Sequence, residues 1–172
     1  AQVRLGNLLF YDPILASDDQ MACATCHSEV WGMGDGLPVS VGVDGTGPPG
    51  PGRTGPNVTT RNAQTLWNAA FRSELFWDGR AASLELQALE PMKHDNEMNQ
   101  PASKAAARIA AVAGYVTLFD QAFPGSGVTA TNVTRALAAF ERTLVTNRSP
   151  YDQYVAGDAG AMGEDERRGV RS

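Results

Sequence analysis

The segment Cys23-Ala24-Thr25-Cys26-His27 places two thiols one helical turn apart and an imidazole directly after them. This C-x-x-C-H spacing is the attachment signature of a c-type haem. Thiols at this separation form thioether bonds to the two vinyl groups of a haem, and the histidine reaches the iron as a proximal ligand. Because the chain has only two cysteines, we predict one covalent haem c on Cys23, Cys26 and His27.

Two other chemistries use a C-x-x-C pair. A dithiol redox motif belongs in a βαβ pattern, and no such pattern surrounds this segment. A structural zinc site needs four cysteine or histidine ligands. The whole chain offers only the two cysteines, His27 and His94, so haem remains the favoured interpretation.

Composition excludes several classes of protein. With 172 residues and 42% hydrophobic residues, the chain is long enough for one domain with a real core. The net charge of −5 argues against nucleic acid or an anionic membrane as partner. No run of about 18 apolar residues predicts a membrane span. Because C-x-x-C-H motifs receive haem outside the inner membrane, we predict a periplasmic location. The start at Ala1 suits a processed or trimmed chain.

The elements that must position the motif read as helices joined by irregular connections. The predicted helices span residues 3–10, 63–71, 83–90, 103–112, 115–123 and 132–145. Glycine and proline dominate residues 42–56, a composition that neither a helix nor a central strand tolerates. This loop is either a flexible surface linker or a wrap around one haem edge. No strand pattern is present, so we predict an all-α fold with long Gly/Pro-rich loops.

The last of these helices has the clearest amphipathic pattern. Its predicted apolar stripe contains Val133, Ala136, Leu137, Phe140, Leu144 and Val145. The charged residues Arg135, Glu141 and Arg142 are predicted to lie off this stripe, facing solvent.

Several residues occur in an order that resembles a known family. They are Leu5-Gly6, Leu9-Phe10, Asp12-Pro13, the haem motif, Phe76-Trp77-Asp78-Gly79-Arg80-Ala81, Gln87, Pro91, Glu97-Met98-Asn99 and Phe140-Glu141-Arg142-Thr143-Leu144. In this order the chain looks like the N-terminal domain of bacterial di-haem cytochrome c peroxidases and their MauG-like relatives. The resemblance runs over nearly the whole chain and implies a haem-dependent peroxidase or oxidase with a cytochrome c-like fold.

Proteins of that family carry two c-type haems in two domains. The resemblance therefore implies a cytochrome c-like haem domain at residues 1–160. It also implies that residues 161–172 begin the connection to a second haem domain with its own C-x-x-C-H motif. On this interpretation the chain is a fragment or a trimmed domain.

The resemblance also implies a peroxide-reactive pocket opposite His27. Glu97 matches the family's distal carboxylate, the acid/base for cleavage of the peroxide O–O bond. Gln87 matches a residue that hydrogen-bonds bound peroxide or water, and Pro91 matches the pocket wall. From the residues alone, Glu97 and Gln87 would read as solvated surface side chains.

Two further positions match residues near the second haem. Trp77 matches the family's tryptophan between the two haems, which helps electrons or holes pass. From its apolar neighbours alone, Trp77 would read as a core aromatic, and both roles are compatible. Asn62 matches the family's contribution to an inter-domain calcium site, whose other ligands would come from the second domain.

One departure from the family pattern concerns the iron's sixth ligand. In many di-haem peroxidases a histidine stands where this chain has Val43, and it binds the iron in the resting oxidised state. Valine cannot bind iron, so we expect a five-coordinate or water-ligated haem that needs no reductive activation. That resembles MauG-like enzymes, which oxidise a protein side chain at a distance.

Other sixth ligands remain open. His94 lies between Pro91 and Glu97, although a surface histidine is the more common role. Methionine ligation would give a low-spin electron carrier, and the candidates are Met33, Met92 and Met98, each of which also suits a core or loop position.

Three functions follow from these readings. The first is a peroxidase or oxidase domain that uses hydrogen peroxide and a small redox protein donor or protein substrate. The second is a mono-haem cytochrome c that only carries electrons. The third is a haem-binding structural or sensing module. The set Gln87, Pro91 and Glu97, with no histidine at Val43, discriminates between them because a carrier has no use for a distal carboxylate.

Overall fold

The computed structural model describes residues 1–170 and is helical. Its helices are α1 (Gln2–Tyr11), α2 (Cys23–Cys26), α3 (Leu84–Lys93), α4 (Ala102–Ala110), α5 (Ala113–Ala122), α6 (Ala130–Glu141), α7 (Pro150–Val155) and α8 (Glu164–Val170). Short 3₁₀ turns occur at Pro13–Leu15, Glu29–Trp31 and Ala69–Phe71. No strand forms within residues 1–170, which confirms the all-α prediction. The last two residues of the predicted connection 161–172 lie outside the described residues.

The core is centred on the packing of α1 against α6. A Cβ atom on Gly6 would lie 1.9 Å from the carbonyl oxygen of Ala136, so only glycine permits this close approach. The Phe10 and Phe140 rings pack with their centroids 5.1 Å apart. Burial of a large apolar side chain such as Phe10 stabilises the fold by about 1.5–3 kcal/mol. These two helices therefore form a rigid base for the motif between them in sequence.

Two predicted helices differ from the structure. The helix predicted over residues 63–71 is wrong except for the turn Ala69–Phe71. Its backbone is bound elsewhere, because the Leu66 N–H donates to the Met33 carbonyl at 3.3 Å. The Thr65 hydroxyl similarly donates to the Gly32 carbonyl at 2.6 Å. In α3, Pro91 lies inside the last turn rather than after it, and the helix continues to Lys93.

The Gly/Pro-rich loop is irregular, as predicted, and is organised by a buried arginine. Arg53 is 8% exposed. Its Nε donates to the Val41 carbonyl at 3.0 Å, and its Nη2 donates to the Gly42 carbonyl at 3.1 Å. Because these carbonyls have no partners in a helix or sheet, the guanidinium supplies the hydrogen bonds that the irregular backbone needs. Arg53 thus holds the loop in shape, and the Val43 N–H, which donates to the Glu97 carbonyl at 2.8 Å, ties the loop to the body of the domain.

Helix α6 corrects one prediction about the site. Val133, Ala136, Leu137 and Phe140 are buried, as the apolar stripe predicts. Glu141, predicted to lie off the stripe, is instead only 5% exposed. The helix ends at Glu141, earlier than the predicted end at residue 145.

Candidate active site around the haem-binding motif

The C-x-x-C-H motif occupies one short helix and its C-terminal cap. The Ala22 N–H donates to the Thr25 hydroxyl oxygen at 2.9 Å, which fixes the first turn of α2. The His27 N–H donates to the Cys23 carbonyl at 3.0 Å and closes the last turn. This places the two thiols on one face of the turn, with His27 directly after them.

The ring of His27 is oriented by a backbone hydrogen bond. Its Nδ1 lies 3.0 Å from the Met33 carbonyl oxygen, which can only accept, so Nδ1 carries the proton. The other ring nitrogen, Nε2, is left with its lone pair for a metal. Burial lowers the pKa of His27 and favours the neutral ring, which is the form that binds iron.

The two cysteines are free thiols in this structure. Burial raises the pKa of Cys23 and of Cys26 to about 12, with smaller effects from nearby carboxylates such as Glu141 and Asp35. Two thiols at this spacing suit thioether attachment of a haem, whereas a structural zinc site requires four cysteine or histidine ligands. Within residues 1–170, no three cysteine, histidine or acidic side chains converge on one point as a metal site would require.

A cavity of about 350 Å³ opens in front of the motif, within the size range of ligand pockets. Cys26 and His27 line this cavity together with residues of α3 and of the loop after α3. The mouth carries three arginines and one aspartate: Arg61, Arg72, Arg80 and Asp78. This excess of positive charge suits the propionate groups of a haem. The thiols, the neutral imidazole and the cationic mouth together fit a covalently attached haem.

A second, smaller cavity of about 60 Å³ adjoins the first and shares Cys26 and His27 with it. Its walls are mostly apolar and include Phe10, Leu66, Ala88, Met92, Met98 and Leu137. Such walls fit the flat apolar ring of a haem.

Three predicted residues meet in the two cavities that His27 lines. Gln87 and Pro91 lie four residues apart on α3 and therefore share a face. After α3 the chain folds back, because the Met98 N–H donates to the Pro91 carbonyl at 3.1 Å. This turn brings Glu97 beside them, and all three residues line both cavities.

Glu97 is half-buried, and its loop is held by backbone contacts. The Val43 N–H donates to the Glu97 carbonyl at 2.8 Å. A Cβ atom on Gly42 would lie 2.0 Å from the Asn96 carbonyl oxygen, so glycine is required at this approach. Val43 itself is 2% exposed in the core. The position where the family pattern has a histidine therefore adjoins the loop that carries Glu97.

The electrostatics of Glu97 combine burial with opposing positive charge. Burial raises the pKa of this carboxyl, while the charges of His94 and Arg80 act in the opposite direction. A raised pKa moves a carboxyl toward the range useful for proton transfer. The site thus contains an acidic group with the environment that acid–base chemistry requires.

Trp77 and Asn62 lie together at the mouth of the larger cavity. The Trp77 Nε1–H donates to the Asn62 carbonyl at 3.4 Å, and both residues line the cavity. Trp77 is 59% exposed, so the alternative reading of a core aromatic is wrong. Its neighbour Phe76 has a φ of 69°, a strained conformation that is often found at functional sites.

The structure separates the candidates for a sixth ligand. The exposed His94 ring accepts a hydrogen bond at Nδ1 from the Asn96 N–H at 3.2 Å. In this neutral form of the ring Nδ1 cannot also donate to Glu97, whose Oε1 lies 3.9 Å away. The charge that lowers the pKa of Glu97 belongs to the protonated ring. Met33 is buried in the hydrophobic core. Met92 and Met98 are also buried, and both line the smaller cavity.

Glu141 also lines the site, although the sequence pattern did not predict it there. Its side chain lines the smaller cavity beside Cys23. Burial raises its pKa to about 8, a rise that Arg142 opposes and Glu85 adds to. The signal was present in the spacing, because Glu141 follows Leu137 by four residues and Val133 by eight, which places it on the buried stripe. Its charge led to the opposite prediction.

Comparison with known proteins gives concordant results. The family described as di-haem cytochrome c peroxidase matches residues 1–160. The chain is 38% identical to the methylamine utilization protein MauG of Methylophilus methylotrophus, over 96% of this chain and 46% of that protein. It is 36% identical to the cytochrome c551 peroxidase of Pseudomonas aeruginosa, over 99% of this chain and 47% of that protein.

Solved structures agree with the fold. A crystal structure of a MauG-like protein associated with microbial copper homeostasis superposes with a TM-score of 0.82 at 30% identity. The match covers 98% of this chain and 47% of that one. The chain spans about half the length of the curated relatives it matches.

Proposed function

Since this chain belongs to the di-haem cytochrome c peroxidase family, we propose that it is a haem c domain that reacts with hydrogen peroxide. The oxidising equivalents pass to a second haem and then to a small redox protein or a protein substrate. The observation that carries this proposal is that Gln87, Pro91 and Glu97 line the same cavity as His27.

Each residue has a separate task in this proposal. A bound haem would supply the iron and the electrons for cleaving the O–O bond of peroxide. His27 would hold the iron through Nε2, since its Nδ1–H donates to the Met33 carbonyl. The Glu97 carboxylate takes the proton from one peroxide oxygen and returns it to the departing one. General acid–base help of this kind is worth about 10²–10⁴ in rate.

Gln87 and Pro91 shape the space in which that transfer occurs. The Gln87 carboxamide can donate to a peroxide oxygen, because it faces the cavity one helical turn from Pro91. The apolar ring of Pro91 lines the same cavity and presents no polar group there. Val43, in place of a histidine, would supply no ligand to the iron.

The path for electrons leads through the exposed edge of the site. Trp77 is exposed at the cavity mouth and donates to the Asn62 carbonyl, so both lie where a second domain could pack. We propose a second haem domain at this edge, with Asn62 contributing to a calcium site between the domains. The coverage of about half of the di-haem relatives supports this arrangement. A periplasmic location belongs to the same proposal, and within residues 1–170 no helix is long and apolar enough to cross a membrane.

The alternative function is a mono-haem electron carrier. The half-buried Glu97 argues against it, because electron transfer alone gives no reason to desolvate a carboxyl next to the haem site. The family match favours the peroxidase as well.

The test is the spectrum of the haem-loaded protein and its response to hydrogen peroxide. We expect a ferric high-spin spectrum at neutral pH that changes within the mixing time of a rapid-flow experiment. A low-spin spectrum that peroxide leaves unchanged would favour the carrier and would promote a methionine or His94 to sixth ligand. Absence of covalent haem would overturn both functions.

A further inference from the structure

The proposed chemistry leaves one buried acid of the cavity without a task. Glu141 is 5% exposed, and its Oε2 has no hydrogen-bond partner within residues 1–170. It lines the smaller cavity together with Cys23, Cys26 and His27. An unpartnered carboxyl costs free energy in such a place, so its retention calls for a reason beyond packing.

The groups around Glu141 provide no counter-ion of its own. Arg142, on the same helix, is bound bidentately to Glu85 of α3, at 2.7 and 3.0 Å, so these two charges largely cancel. From α2 the facing groups are the thiols of Cys23 and Cys26 and the ring of His27, and the loop after α3 contributes Glu97. From α1, the cavity receives Phe10, which carries no charge.

We propose that Glu141 is a redox-linked proton site of this domain, holding a proton while the haem iron is ferrous and releasing it when the iron is ferric. The inference rests on the proposed function, which places haem in this cavity. On reduction, one electron passes from a small redox protein to the iron, and one proton passes from solvent to the Glu141 carboxylate. On oxidation both leave again.

The physical basis is electrostatic: the charge of the iron and the charge of Glu141 interact strongly because the cavity is poorly solvated. Reduction removes one positive charge from the cavity, and in a medium of low polarity this strongly favours the neutral form of a nearby acid. The coupling is reciprocal, so protonation of Glu141 must favour reduction of the iron to the same extent. The burial that raises the pKa of Glu141 to about 8 makes this exchange occur near neutral pH.

A pH-dependent reduction potential is the direct consequence. In the pH range between the pKa of Glu141 in the ferric form and its pKa in the ferrous form, the midpoint potential must fall as pH rises. Each tenfold difference in proton affinity between the two forms corresponds to a fall of 59 mV for this one-electron couple. Reduction of hydrogen peroxide to water also consumes protons, so an acid that loads with each electron suits the reaction.

The test is a spectroelectrochemical titration of the haem-loaded protein as a function of pH. We expect a step in which the potential falls by about 59 mV or more around pH 8. Glu141→Gln, which mimics the protonated acid, should remove this step and keep the potential near the low-pH value. Glu164→Gln, at an exposed position of α8, is the matched control and should retain it.

Three results would overturn the inference: a flat potential in the unmodified protein, a step that survives Glu141→Gln, or a step that disappears with Glu97→Gln alone. If Glu141→Gln does not fold, the infrared difference between the ferrous and ferric forms of Glu97→Gln decides the matter. Reduction must then add the band of one protonated carboxyl, and its absence overturns the inference. A flat potential with peroxide reactivity intact would leave the proposed function standing, whereas absence of haem would remove both.

Discussion

Two carboxyl groups reach the same cavity from regions of very different construction. Glu97 stands on a loop at the edge of the larger cavity, half-buried and close to the charges of His94 and Arg80. Glu141 ends a core helix, is almost fully buried, and has an oxygen with no hydrogen-bond partner in the part of the chain that the structure describes. We infer two roles from this difference. Glu97 exchanges protons with a small molecule in the cavity, and Glu141 takes up or releases a proton when the charge of the haem iron changes.

The pH dependence of the peroxide reaction sharpens this comparison most strongly. Glu97 must be ionised to accept a proton, and burial raises its pKa, so the rate should fall as pH falls through that raised value. Below it the rate should drop about tenfold per pH unit. Glu141→Gln should leave this profile in place, and Glu97→Gln should abolish it. The measurement is rapid mixing with hydrogen peroxide across the pH range.

The pH dependence of folding stability should depend on Glu141 rather than on Glu97. The folded-state pKa of Glu141, about 8, exceeds its ordinary value of 4.5, so the folded state binds the proton more tightly. The free energy of unfolding should therefore fall as pH rises from about 4.5 to 8, by about 4 kcal/mol.

Glu141→Gln should remove this dependence and make the haem-loaded protein more stable than the unmodified one above pH 8. Denaturant unfolding at several pH values is the measurement. The exposed Glu164→Gln is the control and should leave the curve unchanged. A Glu141→Gln protein that keeps the full pH dependence would contradict the assignment.

The loop that carries Glu97 offers a backbone test. Gly42→Ala would place a Cβ atom 2.0 Å from the Asn96 carbonyl oxygen and must displace one of the two loops. Because small misplacements of reacting groups are costly, we expect the peroxide reaction to slow by at least about tenfold. Gly114→Ala, where nothing lies within 4 Å, is the matched control. Equal rates for the two variants would show that the Gly42 contact does not position Glu97.

The smallest expected effect concerns the cavity mouth. The charge of Arg80 lowers the pKa of Glu97, so Arg80→Gln should move the pH profile of the peroxide reaction to higher pH. The plateau rate should stay the same, because Arg80 does not act on the proton directly. An unchanged profile would show that this charge is screened by solvent.

The sequence predicted the parts of this site that depend on local spacing. The C-x-x-C-H turn, the all-α class and the helix that carries Gln87 all follow from residues close together in the chain. Pro91, predicted to end that helix, lies inside it. The meeting of Glu97 with that helix depends on the backbone bond between Met98 and Pro91, and only the family resemblance pointed to it.

The failures arose where long-range contacts decide the outcome. The helix predicted over residues 63–71 does not form, because Thr65 and Leu66 donate hydrogen bonds to the carbonyls of Gly32 and Met33 in a distant loop. Glu141 was assigned to the surface because carboxylates are rarely buried, although its spacing placed it on the apolar stripe. At functional sites a local rule is often broken, and Glu141 is a residue of that kind.

The most direct test of the account compares the two carboxyls in one reaction. Ferric haem-loaded protein is mixed with hydrogen peroxide in a stopped-flow instrument for Glu97→Gln, Glu141→Gln and the control Asp95→Asn. We predict that Glu97→Gln slows the reaction by about 10²–10⁴, while the other two variants stay within about tenfold of the unmodified protein. If Glu97→Gln reacts as fast as the unmodified protein, Glu97 is not the acid/base, and the central claim is wrong.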